Sequence, residues 1–362
     1  NLAMFDRVEV VRGATGLVTG AGNPSAAINL IRKRPLDEQK VTLTGAAGSW
    51  DDYRGELDAS SPLNDSGTWR GRVVTSYRDA NSFIDHAEDY HGLFYAVTEA
   101  DLSEDTSLTL GFSNQKDKTN YFWGSSMIGQ DGHHLDLPRS YNPGTDWENK
   151  DQEINTVFAE IRQQLANDWQ LNVATTFMDV DRDTLSGSYS SRTGTSYITP
   201  EGIAQIGMSS AKATQHQKAV DATLQGPFEL FGQTHELIMG ANYLDYVNHH
   251  YARTGTPVQV DFDSWNNELP KPDRDSFAPS LDYDVETRQS GYFVAGRFNL
   301  ADSLHLILGA RVSNYRYHYY SMSLPSNYVM DYGMTERGVV TPYAGVVYDL
   351  TPEQSVYASY TD

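Results

Sequence analysis

Across 362 residues, 48 acidic side chains face 27 basic ones, a net charge of −21; this excludes a nucleic-acid binder, whose phosphate contacts need the opposite sign. The absence of cysteine excludes a disulfide framework, a thiol nucleophile and a thiolate metal site, and no apolar run approaches the roughly 18 residues of a spanning helix. Mean hydropathy is −0.53, yet 12% of residues are aromatic, which suits the girdles of a membrane β-barrel whose strands meet lipid only with alternate residues.

The chain opens on two strand-like segments, in which Val8 and Val10, then Ile28 and Leu30, alternate with other partners. Between them Gly13, Gly16, Gly20 and Gly22 permit tight turns that side chains would block. Their spacing fits neither phosphate-cradling motif, G-x-G-x-x-G or G-x-x-x-x-G-K-[ST], and no helical pattern follows, so nucleotide binding is disfavoured. A purely structural glycine-rich turn is the bland reading.

The run Val8-Glu9-Val10-Val11-Arg12-Gly13-Ala14-Thr15-Gly16, then Gly20-Ala21-Gly22-Asn23-Pro24-Ser25 and Asn29-Leu30-Ile31-Arg32-Lys33-Arg34-Pro35, resembles the second half of the plug domain of TonB-dependent outer-membrane receptors. Its wording is most similar to the siderophore branch, above all to receptors for ferric coprogen and rhodotorulic acid, and next to ferric pyoverdine receptors. The resemblance implies an all-β membrane protein, a barrel of 22 strands plugged by an N-terminal domain. Residues 1–37 would be the C-terminal part of the plug and 38–362 the first part of the transmembrane barrel, about thirteen strands. The chain would then be an internal segment of a longer polypeptide. The segment that contacts TonB, the apical plug loops and the last strands would lie outside it.

From Lys40 onward the pattern breaks into strand-like segments of 9 to 16 residues, long enough for tilted spanning strands of about 9–11 residues. Val73, Thr75 and Tyr77 oppose Arg72, Val74 and Ser76; Leu108, Leu110 and Phe112 oppose Thr109, Gly111 and Ser113. Trp169, Leu171, Val173, Thr175 and Phe177 form a third apolar face. The clearest is Leu304, Leu306, Leu308, Ala310 and Val312 against His305, Gly309, Arg311 and Ser313. A soluble sandwich would alternate likewise. The connections separate the two, because short turns near 63–67, 103–105, 166–168, 230–233, 301–303 and 351–354 alternate with long ones at 79–89, 118–150, 182–213, 249–286 and 319–336. That puts the long loops at one end, as in outer-membrane barrels. Trp69, Trp169, Phe228, Phe298 and Tyr348 fall near the short-turn ends, and Tyr77, Phe94, Phe177, Tyr243 and Tyr315 near the others, a two-band girdle. Ordinary strand packing is the alternative for any one of them.

No catalytic constellation emerges. His235-Glu236 lacks the second histidine of a zinc-protease helix, with Met239 in its place. His133-His134 and His249-His250 read as solvated loop residues, and Asp179, Asp181 and Asp183 lack the glycine and distal glutamate of an EF-hand. No metal site or cofactor is expected. Arg70, Arg72, Arg297 and Arg311 point inward by parity, to pair with plug carboxylates such as Glu9 or line a polar lumen, while Arg12, Arg32 and Arg34 are expected to form strut-like ion pairs with barrel acids.

Ligand recognition falls to loop aromatics. Trp123 and Trp265 come first, followed by Tyr121, Trp147 and Tyr141, because a bulky, flat-faced ferric hydroxamate is held by stacking and a few hydrogen bonds in a concave mouth. Loop packing or membrane anchoring is the competing role of each. The resemblance implies a monomeric, multi-pass receptor in the bacterial outer membrane that binds a ferric siderophore and imports it, driven by TonB rather than by chemistry of its own, and surrounded by lipid and lipopolysaccharide. A passive porin, which lacks a plug, and a secreted all-β enzyme or adhesin, soluble without detergent, are the alternatives.

Overall fold

The computed structural model describes residues 1–12, 20, 26–120, 133–189, 198 and 202–361. Strands β1 (Phe5–Arg12) and β2 (Ala26–Arg32) pair antiparallel as a small separate sheet. The described strands after them form one antiparallel meander. Its members are β3 (Lys40–Ala47), β4 (Tyr53–Pro62), β5 (Trp69–Asn81), β6 (Glu88–Asp101), β7 (Thr106–Thr119), β8 (Asn149–Gln164), β9 (Gln170–Tyr189), β10 (Ile203–Leu230), β11 (Gln233–Thr254), β13 (Ala278–Ala301), β14 (Leu304–Ser323), β15 (Tyr328–Thr351) and β16 (Gln354–Thr361). Each pairs with its neighbour in sequence, and only the short β12 (Val258–Asp261) departs, folding back onto the start of β10.

The faces are those that alternation anticipates. On β5, Tyr77 is 49% exposed while Val74 is fully buried; on β7, Leu110 and Phe112 are exposed while Thr109 and Ser113 are buried. Leu308 and Val312 of β14 face outward and Arg311 inward, its side chain wholly buried. An apolar outer surface with a polar, filled interior inverts the soluble arrangement and is the signature of a barrel in lipid. No helix among the described residues is long and apolar enough to cross a membrane.

Two expectations need correction. Strand length was expected to stop at 16 residues, but β10 has 28 and β13 and β15 have 24 each. The ladder continues beyond the lipid because backbone donors and acceptors still need partners there, although alternation fades once both faces are wet. The loop expected at 319–336 is accordingly a turn at 324–327 between β14 and β15. Tyr315 was assigned to the outer girdle, yet it pairs with the buried Gln289 on the same face as Arg311, inside the barrel. Trp69, Phe94, Phe177, Tyr243 and Tyr348 do stand exposed on the outer face.

The small sheet fills the concave side. Ala3 packs with Val74, Leu93, Tyr95, Val97 and Phe158 of the wall, and the Tyr95 hydroxyl donates to the Lys33 carbonyl at 2.7 Å. Just beyond β2 a basic run is clamped to barrel carboxylates. Lys33 meets Asp58 at 2.8 Å, and Arg34 meets Glu99 at 2.6 Å and Glu160 at 2.5 Å. Arg72 also binds Asp58, at 2.7 Å, and donates to the Arg34 carbonyl. Arg34 is thus the expected strut, whereas Arg32 lies over the Phe158 ring at 4.3 Å and Arg12 is exposed. Glu9 is engaged by Arg7 at 2.7 Å within its own sheet, so Arg70 finds wall acids instead, Glu99 and Asp101, while Arg311 donates to Asn242 and Ser313. Gly20 touches the far wall with φ +77°, where a Cβ would overlap Gln289 and the Arg311 guanidinium.

Candidate ligand vestibule

The long connections converge at one end of the barrel. Residue Tyr189 closes β9, Tyr141 follows a turn in which its N–H donates to the Pro138 carbonyl, and Phe262 and Trp265 follow β12 directly. Pairing of β12 with β10 draws the 255–277 connection across the sheet end, with Ile203 opposite Asp261 and Ile206 opposite Val258. Four rings meet there. The Tyr141 and Tyr189 hydroxyls share a 3.0 Å hydrogen bond, and centroid separations are 6.0 Å for Tyr141–Phe262, 5.9 Å for Tyr189–Phe262 and 5.9 Å for Tyr189–Trp265. The buried Ala204 and Ile206 form the floor, with Leu135, Leu137 and Leu269 around it.

A polar clamp lies beside the rings. Trp147 donates from Nε1 to the Leu269 carbonyl at 3.0 Å and lays its ring on Gly187, whose missing side chain makes the room. Asn267, at φ +68°, donates from Nδ2 to the carbonyls of Asn142 and Gly144 at 2.5 and 2.6 Å. The Thr145 N–H donates to the Gly187 carbonyl at 3.0 Å, and the Gly187 N–H donates to Glu148 Oε1 at 2.8 Å. Two long connections and the end of β9 are thereby one packed rim.

The structure brings Tyr141, Trp147 and Trp265 of the expected ligand residues into this rim, half-buried among one another and their neighbours. Tyr121 and Trp123 lie outside the described residues. The acidic run on β9 is committed elsewhere: Asp179 meets His216 at 2.5 Å and Asp183 meets Arg274. His249 likewise meets Asp284 at 2.7 Å, and no group of three or more metal-ligating side chains occurs among the described residues.

A second aromatic surface was not anticipated. Between the Gly20 contact at Arg311 and the open end, the inner wall carries His250 stacked on Tyr283 at 4.6 Å, Tyr283 on Tyr319 at 5.9 Å, Tyr319 with Tyr332 at 5.1 Å and Tyr317 with Tyr332 at 6.2 Å. Four strands, β11 and β13 to β15, contribute. The period-two spacing of Tyr315, Tyr317 and Tyr319 was the available signal, hidden because most of these residues fell in segments read as loops. A concave wall of aromatic faces below a rim of further rings suits a large, planar, polar ligand held by stacking.

A family model described as TonB dependent receptor-like, beta-barrel, matches residues 94–362. The chain belongs to the TonB-dependent receptor family. It is 49% identical to the ferric-pyoverdine 358 receptor of Pseudomonas putida over its whole length, which is 44% of that receptor, and 38% identical to the ferripyoverdine receptor of Pseudomonas aeruginosa, of which it covers 43%. The chain spans less than half the length of these relatives. The crystal structure of the Pseudomonas aeruginosa ferripyoverdine receptor bound to ferripyoverdine superposes with a TM-score of 0.90 at 36% identity, over 99% of this chain and 47% of that one. Membership fixes the orientation: the barrel sits in the bacterial outer membrane with its long connections outside.

Proposed function

We propose that this chain is the end of the plug and the first part of the barrel of an outer-membrane receptor that binds a ferric pyoverdine-type siderophore and admits it with energy delivered through TonB. The observation that carries the reading is similarity to ferric-pyoverdine receptors over the full length of the chain. It favours the pyoverdine alternative over the coprogen expectation. The inner wall of Tyr283, Tyr317, Tyr319 and Tyr332 supplies stacking surface for the complex, Tyr141, Trp147 and Trp265 contact it from the rim, and Tyr121 and Trp123 remain proposed ligand contacts. The plug packed against β5, β6 and β8 argues against a passive porin. Lipid and lipopolysaccharide surround a monomeric barrel in this reading.

Uptake of labelled iron is the test, in cells whose only siderophore receptor is the full-length protein. Ferric pyoverdine is taken up when TonB is present and not when it is deleted. Uptake of ferric coprogen but not of ferric pyoverdine, or uptake indifferent to TonB, defeats the proposal.

A further inference from the structure

Glu148 is the anomaly of the rim. Its residue is only 5% exposed, and its carboxyl bridges two elements: Oε1 accepts from the Gly187 N–H at 2.8 Å and from the Ser186 hydroxyl at 3.2 Å, joining the 120–148 connection to the end of β9. Oε2 is buried against the Gly144 backbone and has no hydrogen-bond partner. Two more orphans sit in the same rim, Thr145 Oγ1 and Trp265 Nε1. The groups facing the carboxyl are neutral: the Gly187 amide and Ser186 hydroxyl from β9, and the Gly144 backbone and Asn142 amide from its own connection. Arg274, from the 255–277 connection, is bound to Asp183 and Asn149.

A buried carboxylate without a cation is costly, and the charge is avoided by holding the proton. We propose that Glu148 is a positioning residue for the ligand loops, a proton-dependent latch that holds the rim shut when protonated and releases the 142–148 turn from β9 when ionised. Closure carries Trp147 with it, since its ring rests on Gly187 beside the latch, and Tyr141 through Asn142. The consequence for ligand capture rests on the receptor reading; closure itself does not.

Burial pushes the carboxyl up from 4.5 to about 7, against the lowering effect of its two hydrogen bonds. Because the closed state holds the proton more tightly than the open one, closure is at full strength below the ordinary carboxylate range. It weakens as pH rises toward about 7 and levels off above that.

Amide hydrogen exchange on the ligand-free full-length receptor in detergent, corrected for intrinsic rates, reads this directly at Thr145 and Gly187. Between pH 5 and pH 8 protection at both falls on the order of tenfold or more in wild type, and it stays high at pH 8 in Glu148→Gln, which keeps a neutral side chain of the same shape. Protection that is flat with pH in wild type overturns the latch, as does a Glu148→Gln receptor that loses protection with pH like wild type. If Glu148→Gln does not assemble, the wild-type profile decides. Ligand is absent throughout, so a failed siderophore assignment leaves the result unaffected.

Discussion

Single atoms decide how the vestibule is built. Gly187 carries no Cβ because the Trp147 ring occupies that space, 2.5 Å from where one would stand. Gly187→Ala is predicted to displace Trp147, break its hydrogen bond to Leu269 and open the rim, a core-overpacking penalty of about 1–3 kcal/mol; limited proteolysis within 133–148 should accelerate, and unchanged cleavage contradicts the packing. The inner-wall tyrosines act differently. Tyr283→Ala with Tyr319→Ala removes two stacking faces at about 0.5–1.5 kcal/mol each, so affinity for the ferric complex should fall roughly tenfold or more while rim protection stays the same. Equal affinity would remove the wall from the binding site.

At the scale of elements, the clamp after β2 joins the small sheet to the wall. Arg34 is shared between Glu99 on β6 and Glu160 on β8. Replacing both by Gln leaves a largely enclosed guanidinium with neutral partners and should cost about 1–3 kcal/mol, a solvent-screened share of what breaking a buried pair costs. The readout is ion conductance through the purified receptor in planar bilayers, expected to rise as the small sheet loosens; conductance equal to wild type would show that the clamp is dispensable. Much of this scale was readable from residues alone. Two-residue alternation placed Val73, Leu110 and Leu308 outside and Arg72, Thr109 and Arg311 inside, because lipid and lumen impose opposite polarity on neighbouring positions. Arg34 was readable as a strut because a cation entering a polar lumen needs an acid. The upper strands were not readable: above the lipid, segments such as His249 to Thr254 are polar on both faces, and the ladder that orders them is a long-range pairing no local pattern records. Reading them as loops hid the tyrosine wall with them. Nor does spacing reveal that Glu148, an ordinary acidic loop residue by sequence, is buried by a glycine 39 positions away.

The whole molecule assigns its functions to levels along the barrel axis. An apolar outer belt with exposed Trp69, Phe94, Phe177 and Tyr348 meets lipid, the clamped two-stranded sheet lies on the concave side, and aromatic faces line the space above it. The surplus of 21 negative charges is compatible with a ligand recognised through planar surfaces more than through its charge. Whether that ligand is a ferric pyoverdine is the central question, and quenching of intrinsic tryptophan fluorescence answers it. Titrated with ferric pyoverdines, ferric coprogen and a ferrioxamine, the full-length receptor in detergent should be quenched at submicromolar concentration by at least one ferric pyoverdine and not by the other two, and the Tyr283→Ala, Tyr319→Ala double variant should bind that pyoverdine more weakly. Tight quenching by coprogen alone, or a folded barrel that no pyoverdine quenches, would contradict it.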